Sequence, residues 1–203
     1  MLALLARGAI AAALRPSSAL ALLVVATLAS GGDARAQSTT PYCFGDGTAV
    51  IGNCPCGPAQ NGLPGEGCQN SSGAGGLMTA AGNPCVTAAC GPDTLTLTGS
   101  GLPLTSTCIL LQAQATLSPE LFLGDGIRCL GGTLLRIQLN PASGGTVQFG
   151  AAGTPSISSS SAALGFPIPP NSTRFYQIYY RDPPAFCTPS TFNITNGMIV
   201  VWR

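Results

Sequence analysis

The distribution of cysteine constrains the fold of this chain more than any other feature. The sequence of 203 residues contains nine cysteines, and the first of them is Cys43. In an exported chain this density is typical of a disulfide framework. A zinc site would need about two to four residues between paired ligands, but one proline separates Cys54 from Cys56 and the chain has no histidine. We therefore expect disulfides.

Residues 1–36 have the organisation of a secretory signal peptide. Two arginines form a positive start, an apolar segment covers residues 19–29, and Ala34 and Ala36 precede the predicted cleavage before Gln37. The alternative is a membrane anchor, but a membrane-spanning helix needs about 20 apolar residues. We predict a secreted or cell-surface protein that is exported through this signal and has no membrane span after cleavage.

Charged side chains are scarce, which excludes several kinds of chemistry. The chain has eight arginines, seven acids, no lysine and no histidine, with a formal net charge of +1. Without histidine there is no Ser-His-Asp triad and no imidazole metal site, and without lysine there is no Schiff base. A nucleic-acid partner is not expected, because no basic surface is available. The composition offers no catalytic residue and favours a protein that is not an enzyme.

Cysteine spacing narrows the disulfide pairing without determining it. The simplest pairs are Cys43 with Cys54, Cys56 with Cys68, Cys85 with Cys90, and Cys129 with Cys187. Cys108 is left over in an apolar segment. There a buried free thiol is expected rather than a nucleophile, because no histidine or lysine is present to lower its pKa.

Short β-type segments between glycine and proline turns predict an all-β fold. These segments are residues 94–98, 108–112, 134–139, 146–149, 175–181, 192–194 and 198–202. The Asn196-Gly197 pair predicts a hairpin between the last two segments, and the serine-rich residues 156–161 predict a loop. We expect an antiparallel β-sandwich, jelly-roll or Ig-like, over residues 91–203. A Gly/Pro-rich loop region stapled by disulfides, residues 37–90, precedes it.

Several motifs recur together along the chain. They are CFGDG at 43–47, CPCG at 54–57, GCQNS at 67–71, GDGIRCLGG at 124–132, TRFYQIYYRD at 173–182, and the segment from 186 to 202. The chain resembles a secreted domain of unknown function that is common in exported proteins of planctomycete-like bacteria. The resemblance implies a surface or extracellular module, brings no catalytic residues, and supports pairing Cys129 with Cys187.

Two aspartates lie between glycines and are candidates for a metal site. Asp46 and Asp125 each occupy a Gly-Asp-Gly turn, where an aspartate commonly accepts hydrogen bonds from nearby backbone N–H groups. Calcium takes about six to eight oxygen ligands, so a single aspartate is a weak indication. We expect turn residues, with calcium binding or carboxylate catalysis as the alternatives, and no other cofactor.

The aromatic segment at residues 175–181 supplies the candidate binding residues. Alternation places Phe175, Gln177, Tyr179 and Arg181 on one face of a strand, and Tyr176, Ile178 and Tyr180 on the other. One face must be core. The exposed one would present Tyr176 with Tyr180, or Tyr179 with Gln177 and Arg181, to a sugar or a protein. The alternative is a structural role, with the rings packed against the core and their hydroxyl groups at the rim of the sandwich.

The arginines are few enough that each is expected to have a defined partner. Arg181 beside Asp182 and Arg128 beside Asp125 predict structural salt bridges rather than ligand contacts.

Together these observations predict a non-catalytic structural or adhesion module. Its partner would be an extracellular polysaccharide or a cell-surface protein. The alternative is a carbohydrate-active protein, either a polysaccharide-binding module or a glycoside hydrolase that uses a carboxylate pair.

Overall fold

The structure is a computed structural model that describes residues 38–184, 186 and 188–203. The predicted signal peptide and Cys187 lie outside the described residues. The strands are β1 (Thr39–Tyr42), β2 (Leu77–Ala81), β3 (Thr96–Ser100), β4 (Thr107–Ala113), β5 (Ala115–Leu123), β6 (Gly126–Gly131), β7 (Leu135–Pro141), β8 (Val147–Phe149), β9 (Thr173–Arg181), β10 (Phe192–Ile194) and β11 (Gly197–Val201). A 3-10 helix covers Pro58–Gln60 and an α-helix, α1, covers Ile157–Ala163.

Every strand pairing in the described chain is antiparallel, which confirms the all-β antiparallel class. The largest sheet has the order β1-β11-β9-β4-β7, with β10 pairing the end of β9 that β11 leaves uncovered. A second sheet has the order β2-β3-β8, and β5 and β6 form a separate hairpin. None of the described helices is long and apolar enough to cross a membrane.

One hydrophobic core lies between the six-stranded and the three-stranded sheet. Tyr176 and Ile178 of β9 reach it from the large sheet, and Leu97 of β3 and Phe149 of β8 reach it from the small one. All four side chains have no exposed surface. Burial of large apolar side chains contributes about 1.5–3 kcal/mol each, so this layer is the main source of stability.

The region at residues 37–90 contributes strands to both sheets. β1 pairs with β11, and β2 pairs with β3. Between them, residues 43–76 contain the short 3-10 helix as their one regular element. These loops pack closely: a Cβ on Gly45 would overlap the backbone of Cys68, so only glycine fits there.

Asn196 and Gly197 do not form the predicted hairpin turn. β10 and β11 each pair with β9 and not with each other. The Asn196 side chain is buried and binds β2, accepting from the Met78 N–H at 2.6 Å and donating to the Met78 carbonyl at 3.2 Å. Thr195 Oγ1 accepts from the Ile178 N–H at 3.0 Å. Buried polar groups must be paired, and these long-range bonds outweigh the local turn preference.

The serine-rich segment predicted as a loop forms helix α1 instead. The Ser156 side chain caps the first turn by accepting a backbone N–H from Ser159 at 3.2 Å. Ile157 and Ser161 are four residues apart, lie on one face of the helix and are buried. A cap and two inward-facing residues are sufficient for a two-turn helix that packs on the sheets.

Candidate functional site

The core face of β9 holds two of the predicted binding residues. Tyr176 and Tyr180 have no exposed surface. Tyr176 Oη lies 2.9 Å from Gln112 Oε1 and accepts from Trp202 Nε1 at 3.2 Å, while Tyr180 Oη accepts from Asn70 Nδ2 at 3.3 Å. Of the two predicted alternatives for the exposed face, the one formed by Tyr176 and Tyr180 is therefore wrong. The more apolar face of the strand is the one that packs in the core.

The opposite face of β9 centres on Gln177, which joins the large sheet to β6. Gln177 Nε2 donates to the carbonyls of Ile127 at 3.0 Å and Thr195 at 2.9 Å. Gln177 Oε1 accepts from the Cys129 N–H at 2.9 Å. The side chain has no exposed surface. This buried amide holds the β5–β6 hairpin over one half of the sheet face.

The remaining predicted binding residues lie beyond Gln177. Tyr179 is half-buried, and its ring packs against Phe192 with centroids 5.0 Å apart and planes inclined by 32°. Arg181 is exposed at the end of β9, where its carbonyl accepts from Ser106 Oγ at 2.5 Å. Tyr179 lines an apolar groove on this face of the sheet, whereas Arg181 does not.

An apolar groove of about 860 Å³ occupies the half of this face that the hairpin leaves open. Its floor is formed by β4 and β9, whose register places Ile109 opposite Tyr179. Nine of its eleven lining residues are aliphatic or aromatic. At its rim, Leu164 is 49% exposed and Phe166 is 37% exposed. Concave apolar surfaces with large exposed side chains at the rim are typical of binding sites.

Arg128 and Arg136 are the two charged residues among the described residues that line the groove. Arg128 lies on β6, and its Nε donates to the Leu130 carbonyl at 2.8 Å. Arg136 is exposed on β7, opposite Leu111 in the β4–β7 register. No carboxylate is present among the described residues that line the groove. The groove therefore carries two positive charges that its own lining does not neutralise.

The predicted salt bridges do not form in the described part of the chain. Asp125 Oδ1 accepts from the Thr188 N–H at 2.7 Å. Asp182 uses both carboxylate oxygens to accept from the backbone N–H and the hydroxyl of Ser71. Both aspartates are fully buried. Groups of the loops donate hydrogen bonds to these two carboxylates. Neither Arg128 nor Arg181 therefore forms a salt bridge with the aspartate predicted for it.

Every acidic side chain after residue 37 accepts a hydrogen bond from a backbone N–H group. The pairs are Asp46 with Thr48 and Gly65, Glu66 with Leu63 and Gly75, Asp93 with Leu95 and Ser158, Glu120 with Ile51, Asp125 with Thr188, and Asp182 with Ser71. Carboxylates in this role hold loops in place. The six acids thus act as structural acceptors.

Asp46 and Asp125 follow this pattern. Burial of the Asp46 carboxyl opposes its ionisation, but hydrogen bonds from Thr48 and Gly65 outweigh that effect and lower its pKa. Asp125 has one partnered oxygen, and its Oδ2 is buried without a partner. The described residues contain no group of three or more metal-ligating side chains.

The disulfides differ from the predicted pairs in all but one case. The structure joins Cys43 to Cys129, Cys54 to Cys68, and Cys85 to Cys90, and Cys56 is also disulfide-bonded. The pairing of Cys85 with Cys90 is confirmed. The pairings of Cys43 with Cys54, Cys56 with Cys68, and Cys129 with Cys187 are wrong. The bond from Cys43 to Cys129 connects the end of β1 to β6, a contact that depends on long-range strand packing.

Cys108 is the buried free thiol that the sequence predicts. Burial raises the pKa of this thiol to about 11, and its Sγ lies 3.5 Å from the Ser106 carbonyl. We expect Ellman's reagent at about pH 8 to leave Cys108 unmodified in the native protein and to modify it after unfolding in urea. Peptide mapping identifies the site. Labelling of native Cys108 at the rate of an exposed cysteine would contradict this assignment.

The sequence highlighted Tyr179 but not most of the groove. Leu164 and Phe166 lie in a stretch without strand periodicity, and Phe192 is separated from Tyr179 by 13 positions. Only the pairing of Ile194 with Tyr179 in the β9–β10 register brings Phe192 alongside. The sequence identifies Arg128 and Arg136 as rare charged residues, but it does not predict that both line one groove.

The chain matches no protein-family model, no curated protein and no solved structure. The chemistry of the groove is therefore the basis for inferring function.

Proposed function

We propose that the protein is an exported, non-catalytic binding module of the cell surface or extracellular space, and that the apolar groove is its binding site. One observation carries the proposal: beside Tyr179, the large sheet leaves an open, concave, apolar surface. A folded domain exposes such a surface at a cost in free energy. Its retention is best explained by a ligand that covers it.

Disulfide bonding supports an extracellular location. The described residues contain three disulfides, and these persist in oxidising compartments. We propose further that the two packed sheets form a β-sandwich of jelly-roll or Ig-like type. The module would be of the kind found in exported planctomycete-like proteins, which the motifs resemble.

The use of the carboxylates supports binding rather than hydrolysis. A glycoside hydrolase needs two carboxyl groups about 5–10 Å apart on either side of the scissile bond. Here Glu66 and Asp93, like the other four acids, are engaged by loop N–H groups, and none lines the groove. Release of new reducing ends from any polysaccharide would contradict the non-catalytic assignment.

The groove is tested with N-phenylnaphthylamine, a neutral probe that fluoresces in apolar surroundings. We expect the mature protein to bind it, and the double variant Leu164→Ser with Phe166→Ser to bind it about tenfold more weakly. The reason is that both rim side chains lose apolar contact with the probe. Fluorescence titration measures the two dissociation constants.

The control variants are Leu63→Ser and Leu104→Ser. These leucines are 70% and 73% exposed and lie outside the groove lining. We expect them to retain the affinity of the unmodified protein. Equal weakening in the rim and control variants, or no binding by the unmodified protein, would overturn the proposed site.

A further inference from the structure

We propose that the groove binds a single-chain anionic amphiphile, with a long-chain carboxylate as its simplest form. This inference rests on the proposed function and specifies the ligand of the same site. The apolar floor would hold the hydrocarbon chain, and Arg128 and Arg136 would bind the anionic head.

The lining favours hydrocarbon over sugar. Apart from the two arginines, the only polar side-chain atom that the described lining residues supply is the hydroxyl of Tyr179. A neutral sugar carries many hydroxyl groups, and each buried one needs a hydrogen-bond partner to avoid a cost of about 1–3 kcal/mol. Ile109, Leu111 and Phe166 cannot supply such partners. They can cover a hydrocarbon chain, which needs none.

The charge of the lining selects an anion. Two guanidinium groups reach the groove, and no carboxylate lines it within the described chain. A cationic amphiphile would meet like charge in an environment of reduced dielectric, where repulsion is stronger than in water. An anionic head would instead gain charge-assisted hydrogen bonds, for which the planar guanidinium matches a carboxylate with two parallel donors.

The structure leaves donors available on both arginines. Arg128 donates from Nε to the Leu130 carbonyl, and this bond orients the guanidinium group. Its two terminal nitrogens have no hydrogen-bond partner among the described residues. Arg136 is exposed, and none of the described residues contacts its guanidinium by hydrogen bond or ion pair. The predicted partner of Arg128, Asp125, is engaged by Thr188 instead. An incoming anion would therefore displace no protein acceptor from Arg136.

The experiment compares three probes with the same alkyl chain: dodecanoate, dodecanol and dodecyltrimethylammonium. Each is titrated below its micelle concentration against mature protein loaded with N-phenylnaphthylamine, and displacement of the dye gives its affinity. We expect dodecanoate to bind about tenfold more tightly than dodecanol, and the cation to bind most weakly. Added salt should reduce the preference for dodecanoate, since screening weakens exposed charge pairs.

Variants identify the residues that recognise the anionic head. Arg128→Gln with Arg136→Gln is expected to reduce dodecanoate affinity to that of dodecanol while the affinity for the neutral dye stays unchanged. Because Arg128 also supports the Leu130 carbonyl, Arg136→Gln alone is the second variant, and it should remove part of the preference. Arg181→Gln is the matched control, since Arg181 lies outside the groove lining, and it should leave the preference intact.

The outcomes separate this inference from the proposed function. Equal binding of the three probes, or an anion preference that survives both arginine substitutions, would overturn the anionic ligand and leave the dye-binding groove standing. Loss of dye binding as well would overturn both. A stable dimer in analytical ultracentrifugation, dissociated by Phe166→Ser, would show that a second copy covers the groove and would also overturn the inference.

Discussion

Replacing Cys43 and Cys129 together with alanine is expected to lower the free energy of unfolding by about 4.5 kcal/mol. The two cysteines are 86 positions apart in the sequence, and closing a loop of that length removes much conformational freedom from the unfolded chain. It also fixes β6 beside β1, close to Gln177. Urea denaturation followed by circular dichroism measures the loss as a shift in the midpoint at unchanged slope.

The matched control for this prediction is the double variant Cys85→Ala with Cys90→Ala. These two cysteines are 5 positions apart, so the same chain-entropy relation gives a loss of about 2 kcal/mol. Both variants remove one disulfide and two sulfur atoms, and they differ in loop length. If the two variants lost the same free energy, long-range closure would not be the reason for the stabilisation.

Gln177→Ala is expected to destabilise the fold by about 4 kcal/mol, the second largest effect. The substitution leaves the Cys129 N–H and the carbonyls of Ile127 and Thr195 buried without this partner. Each such group costs about 1–3 kcal/mol when it is unpaired. Thermal and urea unfolding measure the change, and hydrogen exchange at Cys129 reports whether β6 detaches from the sheet.

Gln138→Ala is the control because Gln138, like Gln177, makes three hydrogen bonds to nitrogen and oxygen atoms, but at a more exposed position. Its Nε2 donates to the Pro155 carbonyl and to Ser160 Oγ, and its Oε1 accepts from the Gly150 N–H. Water can replace these contacts, so we expect a loss of about 1 kcal/mol. A loss as large as that of Gln177→Ala would show that burial does not explain the effect.

These two interactions also shape the candidate site. Gln177 and the bond from Cys43 to Cys129 hold β6 against one half of the large sheet, and the groove is the half that remains open. Arg128 is on the same strand, one position before Cys129. Detachment of β6 from the sheet should therefore displace Arg128 from the groove as well as lower the free energy of unfolding.

The predicted strands agree with the observed ones where the pattern is local. The sequence predicts segments near β4, β7 and β9, because strand geometry itself imposes an alternation of side chains with a period of two. β5 was not predicted. Most of its residues are exposed on both faces, so it lacks a consistent apolar period.

The sequence alone determined the class of fold and excluded the catalytic groups that need an imidazole or an amine side chain. The chain has no lysine or histidine whatever its fold, and cysteines with short alternating segments predict a disulfide-bonded antiparallel β protein. Tertiary structure decided which face of β9 packs in the core between the sheets, which cysteines meet, and where the groove lies. Alternation assigns Tyr176 and Tyr179 to opposite faces, but only packing against a second sheet selects the core face. Contacts between residues far apart in sequence leave no local pattern, so Arg128 and Arg136 meet at one groove only after the strands have paired.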